Sequence, residues 1–84
     1  MDYPTEESFE TALNNGENVI GKTVSFVTDE FHPDSAFGYN YWAGKHLNFC
    51  SLTDPHFKDN TTVTVRVTDV TKVIGSWIIY YEVK

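Results

Sequence analysis

The spacing of apolar residues changes once along this chain, near residue 22. Ahead of that point Phe9, Ala12 and Leu13 fall at i, i+3 and i+4, which puts them on one face of a helix. Thr5 is suited to the N-cap, with Pro4 just before it. Glu6 and Glu7 then occupy the first turn, where the helix dipole favours negative charge. Asn14-Asn15-Gly16 stops the helix, with Gly16 suited to a left-handed cap. The pattern predicts an amphipathic helix over 6–14. So short a helix is marginal alone in water, so its Phe9–Leu13 stripe must dock on something.

From Lys22 the period is two. Thr23 to Phe31 mixes β-branched and aromatic residues with polar ones and predicts a first strand, bent near Phe26-Val27 and broken by His32-Pro33-Asp34-Ser35. Lys45 to Cys50 predicts a second, with Leu47 and Phe49 on one face and His46, Asn48 and Cys50 on the other. Thr53-Asp54-Pro55 is a turn. Thr61 to Val73 carries the clearest strand signal, with Val63, Val65 and Val67 opposed to Thr62, Thr64, Arg66 and Thr68. After Gly75, Ser76 to Val83 is a last strand. It is apolar on both faces, as expected of a central or doubly covered strand. The expected fold is mostly β with one N-terminal helix: a single domain over 1–84, with the helix at 6–14 and a small barrel of four to five antiparallel strands over 19–84.

Composition limits the core more than it identifies a function. A chain of 84 residues is one domain with a thin core, which six Phe, five Tyr and two Trp help to fill. The single cysteine, Cys50, allows no internal disulfide. No apolar run approaches the roughly 20 residues of a membrane span, and no membrane role is expected. The first residues are acidic where a signal peptide would be basic and then apolar, so a soluble intracellular protein is expected. The net charge of −6 is uneven: Asp2, Glu6, Glu7, Glu10 and Glu17 lie among the first 21 residues, which hold no Lys or Arg. One reading is a solvated acidic helix that aids solubility. The other is an acidic surface that competes for a basic, nucleic-acid-binding site on a protein partner.

Phe37-Gly38-Tyr39-Asn40-Tyr41-Trp42 is the most unusual stretch. As a loop, Phe37, Tyr39, Tyr41 and Trp42 would either close one end of a thin barrel or form a stacking platform or interface anchor. Cations to hold phosphate are sparse, with Lys45, Arg66 and Lys72 the nearest candidates, so direct nucleic-acid binding is expected to be weak or absent. His32, His46, Cys50 and His56 are zinc ligands by type. However, His46 and Cys50 stand about 13 Å apart along an extended strand at ~3.3 Å per residue, and the spacing supports surface histidines and a buried thiol rather than a metal site. No cofactor is expected. No phosphate loop or nucleophile elbow is present, and Asp29 and Glu30, being adjacent, point to opposite faces of a regular strand. The chain reads as a binder rather than an enzyme.

The run Asp34 to Phe49, with Asn18 to Val24 before it and Thr62 to Val65 and Gly75 to Tyr81 after it, resembles small OB-fold-like domains of Gram-positive bacteria and their phages, in the tRNA-anticodon-binding-like OB group. The resemblance covers roughly residues 17–82. It implies a fold and no active site. In size and charge the chain is also similar to small phage inhibitors of host defence, the anti-CRISPR proteins among them. The expectation is a protein-binding inhibitor of a basic nucleic-acid-handling enzyme, acting in the cytoplasm of the bacterial host if phage-encoded. The alternative is an oligonucleotide-binding OB domain that uses Phe37–Trp42.

Overall fold

The computed structural model describes residues 1–83. The helix forms as its pattern predicts: α1 spans Glu6–Asn14. Thr5 Oγ1 accepts the Ser8 main-chain N–H at 3.1 Å, and Ser8 Oγ accepts that of Thr5 at 3.3 Å. This reciprocal capping box satisfies two otherwise orphaned donors. Gly16 follows in the left-handed region, at φ 76°.

Six strands follow: β1 (Thr23–Val27), β2 (Phe31–Ser35), β3 (Gly38–Ala43), β4 (Leu47–Ser51), β5 (Thr62–Val73) and β6 (Ser76–Val83). They make one sheet in the order β1-β5-β6-β4-β3-β2. The expected mostly β architecture with one short helix is present, but three details of the expectation are corrected. There are six strands, because the stretch Thr23–Phe31 is divided by Thr28–Glu30 and because the Phe37–Trp42 stretch is largely strand. One pair is parallel: β4 runs beside β6, Leu47 opposite Trp77 through Cys50 opposite Tyr80. The β5–β6 hairpin reverses the chain and inserts β6, not β5, next to β4.

The third correction concerns closure. The sheet is open and not a closed barrel, since β1 and β2, consecutive in sequence, are its two edges and form no ladder. The outer edge of β1 is already occupied. Tyr3 bridges it, donating its N–H to Thr23 O and accepting from Ser25 N, both at 3.0 Å, and Glu6 Oε2 takes the Val27 N–H at 2.8 Å. β2 contains Pro33, which has no N–H to offer.

The sheet curls around the helix stripe. Phe26 and Phe49 stack at 4.1 Å between ring centroids, Phe9 stacks on Phe49 at 5.9 Å, and Tyr3 meets Phe9 edge-on at 5.3 Å. Val65, Val67, Leu47, Phe49 and Ile79 are buried on the inner face, while Val63, Trp77 and Tyr81 pack partly buried against them. The predicted alternation therefore holds in β4, in the first half of β5 and in β6. A bulge at Thr68 shifts the register, so that Val70 rather than Asp69 joins the core side. β6 lies between β5 and β4, a central strand paired along both edges. The loop after β4 is buttoned down by buried Thr28, whose hydroxyl donates to Lys58 O at 2.6 Å and accepts from Thr61 N at 3.0 Å. This seats Phe57 against the core.

Candidate protein-binding groove

The β3–β4 turn, Gly44-Lys45-His46, is held by two helix carboxylates one turn apart. Glu10 takes the main-chain N–H of Lys45 on Oε1 and of His46 on Oε2, both at 2.9 Å. Glu6 Oε1 accepts from Gly44 N at 3.2 Å. The i, i+4 spacing places both acids on one helix face, and the turn's donors point at them. Gly44 sits at φ 54°, and a Cβ there would lie 2.5 Å from Glu10 Oε1, so the clamp requires glycine.

Two open depressions flank this turn. One, of about 480 Å³, is bordered by Glu6, Asp29, Glu30, Trp42, Lys45 and Ser76, among others. The other, of about 510 Å³, lies on the helix side against Glu6, Glu7, Glu10, Thr11 and Asn14. Trp42 is 47% exposed beside the first depression. Its outer-face neighbour His32 stacks on it at 3.9 Å and 27°, and His32 Nε2 lies 3.8 Å from Glu30 Oε2. The main chain fixes Glu30 beside the indole, with Trp42 N donating to Glu30 O at 3.0 Å.

The structure separates the acidic set predicted from sequence. Glu10 is buried at 8% exposure, with both carboxylate oxygens turned to the β3–β4 turn. Asp2 Oδ2 accepts from the Thr23 N–H at 3.0 Å, and this backbone bond holds its pKa below the usual carboxylate value. Glu17 accepts from the Tyr3 hydroxyl at 3.4 Å. Glu6 is occupied twice. Glu7 is exposed beside the helix-side depression. Asp29 and Glu30, outside the acidic set predicted from sequence, are exposed and line the groove. Their position between two apolar strand segments, where a break leaves charged side chains free, was the available signal.

The aromatic set also divides. Tyr41 is a core residue at 1% exposure, its ring centroid 4.6 Å from that of Phe31. Burial and the nearby Asp54 and Asp59 raise its pKa. Tyr39 stacks on Phe31 at 6.4 Å, half-buried on the same face. Phe37 is exposed at the β2–β3 turn, at the far end of β3 from Trp42. These four residues do not form one platform, because the pleat sends Tyr39 and Tyr41 inward and Trp42 outward.

The residues considered for zinc are likewise dispersed. His32 stacks on Trp42, His46 stands in the clamped turn, and His56 is exposed with Nδ1 3.7 Å from Asp54 Oδ2. Cys50 is fully buried, its thiol pushed up to about 11 by burial. Among the described residues no three His, Cys, Asp or Glu side chains are grouped to hold a metal, and no helix is long and apolar enough to cross a membrane. The fold and groove define a small, mostly β domain with an acid-lined concavity around one exposed indole. No protein-family model matches the chain, no curated protein matches its sequence and no solved structure matches its fold.

Proposed function

We propose that the chain is a non-enzymatic binding module that contacts a basic protein partner through the Trp42 groove. The observation that carries this reading is an indole, 47% exposed, in a concavity bordered by Glu6, Asp29 and Glu30. Tryptophan is enriched at the energetic centres of protein interfaces. An indole face with carboxylates around it suits the side chain of lysine or arginine. Proteins that bind nucleic acid present many such side chains, so the partner class is a basic, nucleic-acid-handling enzyme and the role is inhibition, as the likeness to small phage inhibitors suggests.

Direct oligonucleotide binding is the second reading. The Trp42–His32 stack favours it, since bases stack on such surfaces. The charge of the groove opposes it, with three carboxylates facing Lys45 and His46. A paired titration separates the two readings. Tryptophan fluorescence should respond to a lysine- and arginine-rich peptide, and binding should weaken as salt rises, because exposed charges are screened beyond about 8 Å at 0.15 M. The response should vanish in Trp42→Phe. Micromolar or tighter binding of a single-stranded oligonucleotide, with Trp42 emission quenched, would replace the first reading with the second.

A further inference from the structure

β5 is 12 residues long, but β1 pairs only with Thr62–Arg66 of it. Val67 is the last residue bonded on that side, donating to Lys22 O at 2.9 Å and accepting from Gly21 N at 2.8 Å. From Thr68 to Val73 the strand pairs with β6 alone, and among the described residues no strand is paired with its other side. An unpaired strand edge is a template for another strand.

Hairpin geometry sets which groups face outward. The β5–β6 turn has two residues, Ile74 and Gly75, at φ 45° and 79°. In such a hairpin the flanking residues, Val73 and Ser76, form a hydrogen-bonded pair, so Thr71 also turns its main chain to β6. Val70 and Lys72 turn theirs to the open side. The Val70 N–H is indeed there, covered by the side chain of its neighbour, with Asp69 Oδ1 at 2.9 Å.

Ile74 makes the arm stranger. A type I′ turn calls for Asn or Gly at that position, and a β-branched residue at positive φ is strained. The residue is also 100% exposed. Strain and exposure together indicate that its side chain serves something outside the chain.

We infer that this edge pairs with the same edge of a second copy of the chain, antiparallel, with Thr71 on the two-fold axis. In that register Val70 of each copy lies opposite Lys72 of the other. Both residues face outward, so each pair exchanges two main-chain hydrogen bonds. Thr71 meets Thr71, a favourable cross-strand pair, and Asp69 meets Val73, so no like charges are opposed. The arm Thr68–Val73 contains one acid and one base, whereas the whole chain carries −6. This is therefore a surface on which two acidic copies can meet without local repulsion. Ile74 comes opposite Thr68 of the second copy, beside the Ile20–Lys22 stretch that flanks Val67. Ile20 is itself 49% exposed, and the two isoleucines cover each other. Asp69 must release the Val70 N–H on pairing, which offsets part of the gain and weakens the association.

Sedimentation over a range of concentrations should show the mass rising from 9.6 kDa toward twice that value. Thr71→Cys should form an intermolecular disulfide on mild oxidation, because opposed residues of a non-hydrogen-bonded pair have Cβ atoms about 4.5–5.5 Å apart. Val73→Cys should not, its two copies being offset by about 13 Å along the strands. Ile74→Asn should relax the turn and raise the thermal midpoint of the monomer, yet weaken the dimer several-fold. A merely structural Ile74 would not move these two readings in opposite directions. A monomer at every concentration, or equal cross-linking of the two cysteine variants, would overturn the inference. So would a Lys72 amide that becomes protected from exchange only when a different protein is added, which would assign the edge to that partner.

Discussion

Two groups of carboxylates, a few residues apart in space, do opposite work in this molecule. Glu6 and Glu10 accept three main-chain N–H groups of the β3–β4 turn, and Glu6 accepts that of Val27 as well. On the rim of the adjoining groove, Asp29 and Glu30 are exposed near Trp42, and among the described residues no main-chain N–H donates to them. Both groups are pairs of carboxylates with the same formal charge. The supply of unpaired backbone donors differs. A tight turn brings several N–H groups to one point and needs an acceptor, whereas the rim has no such demand and leaves its acids available to a partner.

The strongest test of this division is Glu10→Ala. It leaves the Lys45 and His46 N–H groups without their acceptor at a site 8% exposed. An unsatisfied buried donor costs roughly 1–3 kcal/mol, so the variant should lose about 3 kcal/mol in urea unfolding. A loss below ~1 kcal/mol would place Glu10 with the rim acids. Glu6→Ala should cost less, about 1 kcal/mol, because its two bonds lie nearer solvent. If the two variants were equal, burial would not be what sets the cost.

Asp2 extends the comparison to pH. The Thr23 main-chain N–H lowers its folded pKa, so below the unfolded value of about 3.9 the unfolded state takes up its proton first. The stabilisation it supplies is therefore present above that value and fades as pH falls through the lowered folded one. In Asp2→Asn the thermal midpoint should depend less on pH below about 4, and it should move little with pH at neutrality. An unchanged acid slope would mean that the N-terminal segment is not held to β1 in solution.

Local rules made some of this legible in advance. The Thr5 cap, the Phe9–Leu13 stripe and the Gly16 stop defined α1, and strict alternation gave the inner faces of β4, β6 and the first half of β5. The parts that resisted were decided by distant partners. Pro33 reads as a breaker, yet an edge strand tolerates it. Gly38 to Trp42 reads as a loop through its glycine and ring density, although Tyr39, Asn40, Tyr41 and Trp42 already alternate in and out. Glu10 looks like a solvated helix acid, because nothing near it in sequence reveals that Gly44–His46 will bring two donors to it. The exposed acids of the groove were hidden for the same reason: Asp29 and Glu30 become neighbours of Trp42 only when β2 folds back on β3.

The smallest expected effect on stability gives the sharpest statement about function. The double variant Asp29→Asn with Glu30→Gln removes two exposed charges that bond to no main-chain donor, so unfolding should shift by no more than about 0.5 kcal/mol. Glu30 also lies 3.8 Å from His32, but so exposed an ion pair contributes little. Binding of a basic peptide should respond differently. Rim charges act mainly on encounter, so the association rate should fall and lose much of its salt dependence, while dissociation changes little. Trp42→Ala should show the reverse pattern, a faster dissociation with the association rate nearly kept, as expected of a central anchor. Measured together by stopped-flow fluorescence or surface plasmon resonance, the two variants locate the contact. If the double variant left the association rate unchanged while Glu7→Gln lowered it, the partner would dock on the helix-side depression and the Trp42 groove would lose its role.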